Sequence, residues 1–231
     1  MRVGQSATVT RPPVSVLLTA CAAVATTVAG MAFAWSLRVP APAARGVEPP
    51  PDELRCGPAA CRPVVQREVG RDAVELLVGQ GSGRIRTNGE SGRYIFELTI
   101  AESGAAITDR SLECADAEVA VCLARGSVGT EVWGEVLVRR AGAWSRAQLP
   151  YVAGGGYLGL HDVNADGVAD VVAAQQACAS GVTCSRRFAQ VFSLVGAKTE
   201  LGCTTVVAEQ DLLPGWPRVA PAPAQLHPCG S

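Results

Sequence analysis

Apolar positions are distributed along this chain in two ways. Residues 13–35 read PVSVLLTACAAVATTVAGMAFAW, 23 positions without a charged side chain, and about 20 apolar residues in a helix span the hydrocarbon core of a bilayer. Further on, the pattern changes to short alternating runs. Tyr94, Phe96, Leu98 and Ile100 alternate with Ile95, Glu97 and Thr99, the period of two that marks a half-buried strand. Asn88-Gly89, just before this run, is tight-turn chemistry. The runs 131–140 and 143–149 meet at Ala141-Gly142 and predict a second hairpin. Further strands are expected at 74–78, 118–125, 157–162, 168–174, 187–195 and 204–208. No window carries an amphipathic helix of three turns, and 169–179 reads as either strand or helix. The predicted fold is mainly β, with antiparallel sheets behind an N-terminal transmembrane helix.

The apolar segment is bracketed by Arg11 and Arg38, and Trp35 stands where an interfacial aromatic belongs. Ala32-Phe33-Ala34 fits a signal-peptidase site, and Leu18-Thr19-Ala20-Cys21 resembles a bacterial lipoprotein cleavage box. An uncleaved anchor ranks first among these readings, a cleaved signal and secretion second, and lipidation at Cys21 third. Residues 39–51, VPAPAARGVEPPP, form a Pro/Ala stretch that cannot pack. The expected organisation is a cytoplasmic stub at 1–12, an anchor or signal at 13–36, a stalk at 37–54, and a folded domain at 55–231 with a Pro-rich tail.

Cysteines settle the orientation that the flanking arginines leave open. Beyond Cys21 there are eight, at 56, 61, 114, 122, 178, 184, 203 and 229. Proximity pairs them as Cys56/Cys61, Cys114/Cys122, Cys178/Cys184 and Cys203/Cys229, one of many possible connectivities. An even, dispersed set suits an oxidising space outside the cytoplasm. Zinc is the competing reading, but it favours closer pairs and histidine partners, and the chain has only His161 and His227. The expectation is a single-pass protein of the cell membrane with its C-terminal domain extracytoplasmic.

Composition narrows the classes further. At 231 residues and 48% hydrophobic the chain is no disordered polymer. A net charge of −1 argues against nucleic-acid binding, which needs a basic surface to neutralise phosphates. Aromatics are sparse at 5%, so Trp133, Trp144 and Trp216 read as core residues before they read as a ligand platform.

One stretch carries chemistry. Asp162-Val163-Asn164-Ala165-Asp166-Gly167-Val168-Ala169-Asp170 places oxygen-bearing side chains at positions 1, 3, 5 and 9 of a loop. Calcium takes six to eight oxygen ligands, so a short loop must turn sharply and present alternate side chains inward. Gly167 permits that turn. The bland alternative is an Asx-rich turn holding no metal. An EF-hand would need an acid at position 12, which is Ala173. The nine-residue form, within 156–174 (GYLGLHDVNADGVADVVAA), resembles the calcium loop of FG-GAP repeats, the blades of integrin-alpha-type β-propellers. That resemblance implies propeller-blade-like sheets, with a sandwich as the alternative, and a calcium ion held by Asp162, Asn164, Asp166, the carbonyl of Val168, and Asp170. It also places the hairpin around Trp133 and Trp144 in the outer strands of the same blade. Ala165 stands where the family usually has Gly, and no second copy of the loop is found.

Other motifs do not assemble. Gly79-Gln80-Gly81-Ser82-Gly83 lacks the glycine and the Lys-Ser/Thr of a phosphate loop and reads as a turn. His161 and Asp162 are strand neighbours that point to opposite faces, which removes a triad. The expected function is a membrane-anchored binding or structural module with one structural calcium, its partner an extracytoplasmic protein or glycan. The alternative is an anchored hydrolase working through acidic residues.

Overall fold

A computed structural model describes residues 54–147, 150–178, 184–195 and 199–230. The chain divides into two compact units, Met1–Pro51 and Asp52–Ser231, and all described residues belong to the second. The stub, the anchor or signal, and the stalk up to residue 53 lie outside the described residues. Among the described residues no helix is long and apolar enough to cross a membrane.

After a two-stranded ribbon of β1 (Arg55–Cys56) and β2 (Ala59–Ala60), the chain forms three antiparallel sheets in succession, each laid down in sequence order. The first contains β3 (Arg62–Val69), β4 (Asp72–Val78), β5 (Gly83–Gly89) and β6 (Gly92–Glu97). A single helical turn, α1 (Thr99–Glu102), leads to the second: β7 (Leu112–Ala115), β8 (Ala120–Val128), β9 (Glu131–Arg140) and β10 (Ala143–Arg146). There β11 (Tyr151–Ala153) pairs with the other end of β9. The third contains β12 (Leu158–His161), β13 (Asp170–Gln176), β14 (Arg187–Phe192) and β15 (Glu200–Cys203).

The sheets stack face to face through three apolar layers. Val74, Leu76 and Ile85 of the first sheet meet Ala120, Cys122, Ala124 and Leu137 of the second, with Ile100 of α1 between them. The opposite face of the second sheet, Val121, Leu123, Val136 and Val138, packs on Leu158, Leu160, Val171 and Ala173 of the third. Val172, Ala174, Ala189 and Val191 line the far face of the third sheet under Leu213 and Val219 of the tail. Strands β8 and β13 are therefore buried on both faces, which explains their continuous apolar runs AVCLA and VVAA in place of alternation. Within 169–179, residues Asp170–Gln176 are strand and not helix. On the far face of the first sheet the pairing is polar, Glu75 with Arg86 and Arg84 with Glu97.

All four disulfides follow sequence proximity: Cys56–Cys61, Cys114–Cys122, Cys178–Cys184 and Cys203–Cys229. Thiolates for a zinc site are thereby removed.

Several local expectations need correction. Asn88 and Gly89 do not turn; they pair with Arg93 and Gly92, and the turn is Glu90-Ser91. Gly89 is glycine because a Cβ there would stand 2.3 Å from the Arg71 carbonyl oxygen of the neighbouring turn. The alternation of 94–100 breaks after Glu97, where Ile100 becomes helical. Residues 204–208 form no strand: Thr204 bonds Ala189 and Val207 bridges Arg187 as isolated contacts, and the edge strand is β15 instead. The hairpin of Trp133 and Trp144 belongs to the second sheet, whereas the Asp-rich loop belongs to the third.

Candidate functional site

The Asp-rich loop, residues 162–169, joins β12 to β13 above the closing pair His161–Asp170. Short polar side chains fold the backbone onto themselves, as Asx residues do in turns. Asp162 accepts from the backbone N–H of Asp166 at 3.2 Å and of Gly167 at 3.0 Å. The Asn164 carbonyl oxygen also accepts from Asp166 N–H, at 3.1 Å, and its amide donates to Asp166 Oδ2 at 2.8 Å. Asp166 Oδ1 accepts from Val168 N–H at 2.9 Å. Two left-handed residues make the path possible, Gly167 at φ 83° and Ala165 at φ 57°. The second is strained, because a side chain in this region costs energy.

Asp170 differs from the other acids of the loop. Asp162, Asn164 and Asp166 are exposed, whereas Asp170 is 0% exposed. Its Oδ2 accepts from Val163 N–H at 3.0 Å, and its Oδ1 has no hydrogen-bond partner. Burial, reinforced by the negative charges of Asp166 and Asp162 and opposed by backbone hydrogen bonds from Val163 and Asn164, pushes its carboxyl up to about 6. A buried carboxylate oxygen without a donor is costly unless a cation or proton attends it.

The residues between the ligand positions are structural. Val163, 4% exposed, belongs to the layer between the third sheet and the tail. Val168 belongs to the layer on the opposite face of that sheet. The loop is thus pinned into both apolar layers that flank its hairpin.

The buried carboxylates outside the loop are committed elsewhere. Asp72 is buried between the first two sheets and accepts from Ser91 N–H, Trp144 Nε1 and Arg139 Nη1 at 2.9, 2.9 and 3.2 Å. Burial alone would raise its pKa, but these hydrogen bonds outweigh it and hold the carboxyl at about 2. Glu135, also buried, accepts from Thr99 Oγ1 and Ile100 N–H at 2.8 Å each and faces Arg146 at 3.4 Å. Glu113 contacts Arg125 at 2.5 Å. The cleft that Asp72 lines, about 400 Å³, also holds Glu90 and its partner Arg71. Sequence spacing offered no way to find Asp72 or Glu135, whose partners lie in other sheets.

Glu200, Cys203 and Cys229 bring ligand-type atoms within 4.8 Å of one another. The two sulfurs are bonded to each other, so this is no metal centre. It is the one such group among the described residues, and the loop's three carboxylates are spread more widely. His161 closes β12, and His227 bridges Cys203 through its backbone. The glycine-rich run at 79–83 is the β4–β5 turn, closed by Gly79 N–H to Ser82 O at 2.9 Å. Trp144 is core and Trp133 packs against it, while Trp216 is 38% exposed beside Tyr157.

Comparison with protein-family models, curated proteins and solved structures finds no match for this chain.

Proposed function

We propose that the disulfide-braced β domain is an extracytoplasmic binding or structural module, carried on the apolar segment 13–36, whose β12–β13 loop holds one structural calcium ion. The observation that carries this reading is Asp170, a fully buried carboxylate with one oxygen unpartnered at the base of a loop bearing two further carboxylates. The donor set is all oxygen: Asp162, Asn164, Asp166, the Val168 carbonyl and Asp170. That hardness suits calcium and not zinc or copper. On binding, the exposed acids exchange their backbone N–H partners for the ion and draw inward over Asp170.

Four disulfides support the outward location, since such bridges persist in oxidising compartments. Antiparallel sheets of four or five strands packed face to face are compatible with propeller blades, and the three among the described residues are fewer than the four or more that close a ring. The polar far face of the first sheet and the tail over the third favour an open stack with covered ends, in place of an arc completed by other chains. A partner, protein or glycan, then meets loops and edges. The hydrolase alternative gains little from the Asp72 cleft, because its carboxylates are held by arginines and Asp72 is kept ionised.

The test is a thermal melt of the purified protein in calcium chloride and in EDTA. Calcium raises the midpoint, as any ligand selective for the native state does, and Asp166→Ala abolishes the difference. Identical melts for the unaltered protein would overturn the calcium assignment.

A further inference from the structure

We propose that a divalent cation in the β12–β13 loop governs docking of the C-terminal tail, residues 204–230, on the third sheet. This rests on the calcium reading and extends it from a local brace to a latch. The link is Val163. It stands between ligand positions Asp162 and Asn164, donates its N–H to Asp170 Oδ2 at 3.0 Å, and buries its side chain with Leu213 and Val219 of the tail.

The tail has few other holds on the sheet. Its central backbone–backbone hydrogen bonds, Trp216 N–H to Leu213 O, Arg218 N–H to Gly215 O and Ala220 N–H to Pro214 O, stay within the tail itself, and the Val219 backbone also bonds the Tyr157 hydroxyl. Backbone pairing to the sheet occurs towards the two ends, at Val207 with Arg187 and at His227 with Cys203. Between these points Leu213 and Val219 are buried, and Trp216 rests edge-on against Tyr157. Arg218 reaches Glu113 at only 3.9 Å, with both termini of that pair near solvent. The middle of the tail is therefore held chiefly by apolar contacts, and Val163 is the one supplied by the loop.

Three carboxylates within nine residues repel one another when no cation attends them. Loosening of the loop withdraws Val163 from under Leu213 and Val219, and the tail opens while the Cys203–Cys229 bridge retains its end. A cation that gathers the carboxylates fixes Val163 and closes the tail. Val168, on the other face, meets two regular sheets, and its layer depends less on the loop.

The test is amide hydrogen exchange on the intact, oxidised protein with calcium chloride or EDTA, beside calorimetric titration with calcium itself. Calcium is expected to slow exchange across 213–220 by about tenfold or more while leaving β4 and β5 unchanged, since local opening is reported segment by segment. Val163→Ala keeps every ligand and is expected to bind calcium yet lose the protection of the tail. Calcium binding with unchanged exchange at 213–220 would overturn the latch and leave the calcium site standing. No heat of calcium binding and no change in exchange would overturn both.

Discussion

The indole N–H of Trp144 donates to Asp72 Oδ2 at 2.9 Å across 72 residues of sequence, joining the second sheet to the first inside their shared apolar layer. Arg139 completes the arrangement from below the ring, 5.6 Å from its centroid and 3.2 Å from the same carboxylate oxygen. With the carboxyl at about 2 in the folded protein and 3.8 as its ordinary value, the folded state binds the proton less tightly than the unfolded chain. The stabilisation is complete above about pH 4 and is lost as pH falls through about 2, amounting to roughly 2 kcal/mol. Urea titrations at pH 6, 4 and 2.5 should show the decline, and Asp72→Asn should flatten that segment of the profile. An unchanged slope in the variant would refute the assignment.

Glu135 ties β9 to α1 and Arg146 to both. Glu135→Ala leaves Ile100 N–H and a partly buried guanidinium without their acceptor and is expected to cost about 3 kcal/mol, as broken buried ion pairs do. Glu135→Gln retains an acceptor oxygen for Thr99 and Ile100 and should cost well under half of that. Equal losses for the two, measured by denaturant unfolding, would show that the charge and not the hydrogen-bond acceptor is what matters.

Ala141 sits at φ 48° and Gly142 at φ 73° in the two-residue turn between β9 and β10. Such turns favour Asn-Gly, because alanine is strained with positive φ. Ala141→Asn should stabilise by roughly 0.5–1 kcal/mol and raise the melting midpoint by about 2 °C. A lowered midpoint would contradict the left-handed turn.

Three of the bridges contain a buried residue, Cys56, Cys122 or Cys203, whereas Cys178 and Cys184 are both only partly buried. Access governs thiol–disulfide exchange. Brief treatment of the folded protein with dithiothreitol, followed by alkylation and peptide mapping, should label Cys178 and Cys184 first. Earlier labelling of Cys56 or Cys122 would mean that the apolar layers open more readily than their packing implies.

Much of the strand content was legible in the sequence, and the reasons are local. Strand β9 matches its expected limits because a glycine turn bounds it at Ala141-Gly142, and β4 contains its expected run 74–78, where Val74 and Leu76 alternate with Glu75, but begins two residues earlier at Asp72. Strands β3, β5, β7 and β15 left weak signals. In β3, five of eight residues are polar or proline at an edge, and in β5 arginines and terminal glycines dilute the pattern. The Asp-rich stretch was legible as a turn between two strands because its hydrogen-bonding groups lie within nine residues. What spacing could not convey is that Asp170 alone is buried, a consequence of two sheets and the tail meeting at its base. The pairing of Asp72 with Arg139, and of Glu135 with α1, depends on contacts between sheets that no local pattern encodes.

Because every sheet is a meander of consecutive strands, and three of the four bridges close over sequence separations of 5, 8 and 6 residues, partners meet before distant parts of the chain exist. An oxidant encountering this polypeptide as it emerges end first would find each early thiol beside its mate, with little opportunity for scrambling. Only the link from Cys203 to Cys229, separated by 26 positions, must wait for a much longer stretch of chain to emerge, so it should be the last of the four to close.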